Sequence, residues 1–355
     1  MNNNSRKLRI GVVGLGRVAT STHIPVLNLL DGVDVTACAE TNMDRVSRVK
    51  EFLNLRNIFS DYHEMYASQL VDAVYICTPP HIHYDSTISA FQNGLHVLCE
   101  KPMGQNLEEA IKMNSLAQEK NLILMPGFKY RFNRNLQQAA QIIRNGLLGT
   151  VIQIEATFMT PGPYISWDPK SEWYLNPEHG GIIYDIGTHI VELVNMLVPD
   201  KITKIYAYAT QGYYEYETPT NVSCSFITEN GITGTISFGW RSSFDLIKVS
   251  IYGTGGAIIV DLKSINYFNA GTDPKDRIFN YLRSAFFEAK TVLKRIASIV
   301  KGTEVSINDL EQAKAFVKAV NDKTPPPVSG ENGVYIHRVL RGIEKSIKSN
   351  RPITL

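Results

Sequence analysis

Residues 8–19, LRIGVVGLGRVA, constrain this chain more than any other stretch. Residues 8–13 are short, apolar and rich in β-branched side chains, the composition of a parallel strand buried on both faces. Gly14, Gly16 and Ala19 follow at the spacing G-x-G-x-x-A, and helical periodicity begins at once. In such a turn the first glycine makes the tight bend and the second lets a pyrophosphate approach the backbone. The small third residue packs helix on strand. The unpaired N–H groups at the helix start then favour an anionic phosphate. A second strand-like run, 33–39, ends at Glu40, about 20 residues past the glycines, where an acid accepts ribose hydroxyls. The other reading of Glu40 is a solvated acid at a strand end; the glycines before it favour the nucleotide. Its charge repels a 2′-phosphate and favours NAD. Arg17 and Arg45 soften that repulsion and keep NADP as the alternative.

Strand and helix then alternate. The periodicity predicts helices over 18–30, 42–53, 82–92 and 107–119, a short helix capped by Asp61, and strands over 71–77, 96–99 and 122–125. This rhythm belongs to a doubly wound parallel sheet of α/β class, a Rossmann-type domain over 1–126. Ligands of such sheets gather beyond the carboxyl ends of the strands. Three strand exits qualify: Gly14-Leu-Gly16, Thr78-Pro79-Pro80 and Glu100-Lys101-Pro102. After Pro126 a helix over 132–144 gives way to closely spaced strands at 151–158, 202–210, 221–227, 232–240, 246–252 and 257–261. A long helix over 181–197 interrupts them. This predicts an α+β domain over 127–355 built on a large, mostly antiparallel open sheet. Helices over 308–320 and 332–348 close the chain across a stiff proline link, and the last of them is a candidate to pack back on the first domain.

Composition excludes several classes. At 355 residues the chain suits two domains, and 44% hydrophobic with 20% charged residues is ordinary for a soluble globular protein. A net charge of +2 gives no reason to expect nucleic acid. Cys38, Cys77, Cys99 and Cys224 lie in apolar strand-like runs without metal-ligand spacing, so no metal and no disulfide is expected. Basic residues precede the first apolar run, but three glycines and Arg17 break it, unlike a signal peptide. No run is long enough for a transmembrane helix, and the expected location is cytoplasmic.

Two constellations carry chemistry. Lys101 ends a strand-like run beside Glu100; near a bound nicotinamide, a partly desolvated lysine trades protons with an alcohol. The bland alternative is an exposed Lys–Glu pair. Asp185 and His189 stand at i and i+4 of the helix predicted over 181–197, where a carboxylate holds and tunes an imidazole. The bland alternative there is a surface pair or a satisfied core histidine.

Together, Gly14-Leu-Gly16-Arg-Val-Ala19, Thr78-Pro-Pro-His-Ile-His83, His96-Val-Leu-Cys-Glu-Lys-Pro102, Gly180-Gly181, Asp185-Ile-Gly-Thr-His189 and the turn Gly253-Thr-Gly-Gly256 resemble the glucose–fructose oxidoreductase / inositol dehydrogenase (Gfo/Idh/MocA) family. The resemblance runs from the first strand to about residue 260. It implies that Lys101, Asp185 and His189 form the catalytic set, with Lys101 or His189 exchanging the hydroxyl proton. It further implies NAD contacts from Gly14, Gly16, Arg17, Val18, Glu40, Thr78, Pro79, Pro80, His83, Glu100 and Lys101. The family often has Asn after its Thr-Pro pair, where this chain has Pro80. His83 is also readable as a plain helix-opening residue.

For substrate contacts, Lys129 and Arg131 follow the last strand of the first domain and serve a sugar or an acidic group, or act only as solvated hinge cations. Trp173 and Tyr174 stand where the family often has Trp-Arg and suit a sugar platform; loop aromatics otherwise simply pack. The proline-rich stretch 161–169 is a candidate lid. Tyr213, Tyr214 and Tyr216 suit a sheet-to-sheet interface in a homodimer or homotetramer. Residues 278–301 form a basic amphipathic helix, expected to pack on its own sheet or on a partner subunit, with an anionic membrane as the minority reading. The expected activity is hydride transfer between NAD and a secondary hydroxyl or keto group of a sugar, cyclitol or nucleotide sugar. The rivals are a redox-neutral glycosidase using NAD and a non-catalytic sugar or dinucleotide sensor.

Overall fold

The computed structural model describes residues 6–162, 175–176, 181–198, 200–211, 218–240, 242–269 and 306–355. Trp173, Tyr174, Gly180, Tyr213, Tyr214, Tyr216, the stretch 278–301 and most of 161–169 lie outside the described residues. The chain divides into two compact units. One takes the chain to Lys129 and then the described residues from 306 through His337; the other starts at Tyr130 and ends with Arg338–Leu355.

The first unit is built on six strands: β1 (Leu8–Val13), β2 (Val33–Ala39), β3 (Ile58–Phe59), β4 (Ala73–Ile76), β5 (His96–Cys99) and β6 (Leu124–Pro126). They lie in the order β3-β2-β1-β4-β5-β6, every neighbour parallel. The order reverses between β1 and β4, and such a switch point opens the crevice that takes a ligand. Val13, Val74, Ile76, Val97 and Cys99 pack with Met65, Phe91, Ala110 and Met113 in one buried cluster. Both strand faces are apolar, as parallel sheets require.

On the other face Tyr75 meets Phe316 of the helix Ile307–Asp322, ring centroids 5.4 Å apart and perpendicular. That helix also packs on the short stretch Ile24–Leu27. Gly333 lies against Met103, and Gly330 against Asn114 and Leu124. The described residues from 306 through His337 thus group with the first unit and cover the apolar surface of its sheet.

Two helix starts differ from expectation for local reasons. The helix expected over 18–30 is a π-helical turn, Ala19–His23, followed by Ile24–Leu27. The helix expected at 82 begins at Pro80, since proline at the first helical position loses no hydrogen bond and already has a helical φ. Asp61 caps its helix as expected, accepting the N–H of His63.

The second unit is built on β7 (Val151–Met159), β8 (Ile202–Thr210), β9 (Asn221–Thr228), β10 (Thr233–Gly239), β11 (Leu246–Gly253), β12 (Gly256–Asp261), β13 (Ile265–Asn269) and β14 (Ile353–Thr354). Their order is β13-β12-β11-β7-β10-β9-β8-β14. β7 and β10 pair in parallel and the other neighbours antiparallel. Alternate residues are buried: Ile154, Ala156 and Phe158 on β7, which packs on the helix Thr188–Leu197, and Val222, Cys224 and Phe226 on β9. Ser223, Ser225, Thr235 and Tyr208 point the other way and are exposed. This period-two pattern made most of these strands readable. The two-residue strands β3 and β14 are too short to show a period, and the sequence reading did not include β13. Among the described residues no helix is long and apolar enough to cross a membrane, and no His/Cys/Asp/Glu group is arranged to hold a metal.

Candidate functional site

Three strand exits of the first unit form its candidate site. After β1 the chain turns at Gly14, whose φ of +83° suits glycine alone; a Cβ there would meet the carbonyl oxygen of Cys77 at 3.1 Å and Cγ2 of Thr78 at 3.1 Å. The next exit is thus packed directly on the glycine turn. At Gly16 a Cβ would meet nothing within 4 Å, so the backbone faces open space. Arg17 and Val18 are exposed beside it.

Glu40 stands at the end of β2 as expected, but its carboxylate is already engaged. Oε2 accepts the N–H of Leu15 at 2.8 Å, inside the glycine turn, and Oε1 accepts the N–H of Asn42 at 2.9 Å. Arg45 Nη1 adds a contact at 3.1 Å. Burial pushes the Glu40 carboxyl up, but the N–H groups of Asn42 and Leu15 and then Arg45 outweigh it and hold it below the usual range. The acid therefore shapes the turn from the end of β2.

Thr78 and Pro79 are half-buried and Pro80 is buried. The Thr78 methyl packs on the glycine turn, and its hydroxyl is buried without a hydrogen-bond partner. His83 is a correction. Its ring is fully buried, with Nδ1 2.8 Å from the carbonyl oxygen of Pro102 and Nε2 2.7 Å from that of Thr78. Burial lowers its pKa more than the two carbonyls raise it. It joins the second exit to the third and presents no atom to a cofactor.

The third exit carries Glu100 and Lys101, both half-buried. Glu100 Oε1 accepts a hydrogen bond from His23 Nε2 at 2.7 Å, and Oε2 accepts the backbone N–H of Lys101 at 3.1 Å. Burial pushes the carboxyl up; the hydrogen bond and charge of His23, the charge of Lys101 and its N–H outweigh this and hold it at about 2. A carboxyl depressed in the folded state stabilises above its unfolded value and loses that contribution as pH falls toward the folded one. From 4.5 to about 2 this amounts to about 3 kcal/mol. Urea unfolding between pH 5 and pH 3 should therefore show a steeper loss of stability for the parent than for Glu100→Gln; equal slopes would contradict it.

In the second unit, Asp185 lies in the π-helical turn Ile183–Gly187 and His189 in the helix Thr188–Leu197 that continues it. π turns inside helices recur at functional positions. His189 is 9% exposed, and its ring stands edge-on to Tyr130, centroids 4.9 Å apart, with Phe158 at 6.1 Å. Gly181, at φ +53°, lies against the Thr218 methyl, the close approach expected of a glycine there.

Lys129 and Arg131 lie in the short 3-10 helix Lys129–Phe132. Arg131 Nε meets Glu192 Oε1 at 2.5 Å, and Glu192 is only 1% exposed. Burial pushes the Glu192 carboxyl up and Arg131 offsets this in part. Arg131 thus serves a buried anion one turn beyond His189, because that anion needs a cation.

Sequence reasoning missed His23 and Glu192. Each pairs with a residue far along the chain, so no local spacing marks them.

These residues fit a dinucleotide. Open space stands over Gly16, the Thr78 hydroxyl beside the turn is buried without a partner, and Glu40 follows the second strand. A family model described as "Oxidoreductase family, NAD-binding Rossmann fold" matches residues 8–128, and the "GFO/IDH/MocA C-terminal domain" matches 136–259. Myo-inositol 2-dehydrogenase of Thermotoga maritima is 27% identical over 98% of this chain and 98% of its own. A D-xylose 1-dehydrogenase (NADP(+)) of Haloferax volcanii is 25% identical over 98% of this chain and all of its own. Among solved structures, the WlbA dehydrogenase from Bordetella pertussis, in complex with NADH and UDP-GlcNAcA, shares this fold at a TM-score of 0.85 and 22% identity, covering 99% of this chain and 98% of that one. The glycine turn, the Glu-Lys-Pro exit and the two matched domain models together place this chain in the Gfo/Idh/MocA family of oxidoreductases, whose first domain is an NAD-binding Rossmann fold.

Proposed function

We propose that this protein is an NAD-dependent dehydrogenase moving hydride between the nicotinamide and a secondary hydroxyl or keto group of a sugar, cyclitol or nucleotide sugar. The observation that carries this reading is the third strand exit, where Lys101 follows a Glu100 carboxylate pinned at both oxygens, on the sheet whose glycine turn fits a dinucleotide.

Gly14, Gly16, Glu40 and Thr78 would hold the cofactor. When bound, the nicotinamide supplies the hydride acceptor for oxidation and the donor for reduction. The chain's own residues handle the proton. In oxidation the substrate hydroxyl gives its proton to Lys101 Nζ or to the His189 imidazole, and in reduction the same group returns it. Asp185 precedes His189 by four residues and is assigned the orienting role. The relatives named for inositol and xylose and the neighbour crystallised with a nucleotide sugar support the substrate class. Assembly as a homodimer or homotetramer through the second unit's sheet belongs to the same reading, supported by the exposed Tyr208, Ser223 and Ser225 on its open face.

The test follows reduced nicotinamide by near-ultraviolet absorbance while NAD, then NADP, is offered with sugars, cyclitols and nucleotide sugars. Accumulation of NADH with one class is expected. Tight NAD binding with no net NADH across the panel would replace this reading with an internal redox cycle or a sensor.

A further inference from the structure

His23 closes the π-helical turn Ala19–His23, which begins three residues after Gly16. A widened turn of this kind changes which side chain faces the sheet. The imidazole is 2% exposed and meets Glu100 as described above, with Tyr75 edge-on to it at 5.3 Å between centroids. On the carboxylate's flank a Cβ at Gly127 would come within 3.1 Å of Glu100 Cδ and 3.2 Å of its Oε1. The Glu100 side chain is thus held at both oxygens and along one side, and the residue after it is Lys101.

We infer that His23 is a positioning residue for Lys101: acting through Glu100, it sets the lysine's place and ties it to the segment that follows the glycine turn. The inference rests on the reading of Lys101 as a proton-transfer group. Its physical basis is a competition. Glu100 has two basic neighbours, His23 and Lys101. While His23 occupies Oε1, Oε2 serves the Lys101 backbone, and the turn is fixed. Without His23, a largely buried carboxylate turns to the Lys101 ammonium. That draws the ammonium away from a substrate and favours its charged form. The other titratable groups acting on or near Glu100 are His83 from the helix Pro80–Gln92, Cys77 after β4 and Cys99 on β5; Tyr75 faces His23.

Three substitutions separate this role from packing. In His23→Gln the amide nitrogen falls where Nε2 stands and reaches Glu100. In His23→Asn it falls short, near the position of Nδ1, and His23→Leu removes the donor altogether. Two readouts apply to full-length protein: the pH dependence of Lys101 modification by an amine-reactive reagent, read by mass spectrometry without cofactor, and the pH–rate profile with NAD and substrate. In Leu and Asn variants that melt as cooperatively as the parent, the Lys101 midpoint should move up by about one pH unit or more. Their kcat should fall about 10- to 100-fold, with the KM for NAD little changed. The Gln variant should restore both. An unmoved midpoint in a folded His23→Asn or His23→Leu overturns the inference, even if the protein proves to be a sensor without turnover. A moved midpoint without any turnover in the parent supports the coupling and overturns the dehydrogenase reading alone.

Discussion

Lys101→Ala is expected to lower kcat about 100- to 10,000-fold, the range supplied by a positioned acid or base. NAD affinity should stay close to that of the parent. The glycine turn and Glu40 are held together without the lysine side chain, and the Lys101 N–H that Glu100 accepts belongs to the backbone. Loss of rate and of binding are therefore separable, and titration of NAD by isothermal calorimetry beside the absorbance assay separates them. Reduction of both by the same factor would mean that the residue holds the cofactor instead. Retention of more than a tenth of the parent's kcat would remove Lys101 from the chemistry, leaving His189 as the proton-transfer group.

The second large effect is on stability. Arg131→Met strands the Glu192 carboxylate at 1% exposure without its cation, and breaking a buried pair from one side costs about 3–5 kcal/mol. The sign with pH follows from Glu192, whose carboxyl already sits above its usual range. A group raised in the folded state contributes fully below its unfolded value and loses that contribution as pH rises through the folded one. Losing Arg131 lifts Glu192 further, so the deficit should be small near pH 4 and grow toward pH 8. Arg131→Met with Glu192→Leu should recover most of the loss, because two apolar side chains leave no buried charge. Melting temperatures of the two variants at pH 4.5 and pH 8 test this. A single variant as stable as the parent at pH 8 would show that the pair does not hold the helix Thr188–Leu197 in place.

What was readable in the sequence was local. The strands β1, β2, β4 and β5 announce themselves by apolar runs between glycines and helical periods, and β8 to β12 by alternation over a half-buried sheet. The glycine spacing, Glu40 at a strand end and Glu100-Lys101-Pro102 after another strand needed no distant partner to be seen. Where proline stood, the sequence held more than was read from it: Pro80 is a good first helical residue, and the helix begins there.

The remainder depends on contacts between residues far apart. His83 looks like a cofactor ligand on its motif alone; only folding shows its ring buried between the carbonyls of Thr78 and Pro102. That Arg131 pairs with Glu192, 61 residues on, shows only once the fold brings them together. The return of Ile307–Asp322 to the first sheet is decided by Tyr75 and Phe316, which no spacing connects. The sequence by itself therefore determined the class of fold, the nucleotide turn and the residue types available for proton transfer, because periodicity and turn chemistry act within a few residues. Tertiary structure alone decided which charges are spent on one another, since burial makes an unpaired ion costly and its partner is whatever the fold delivers.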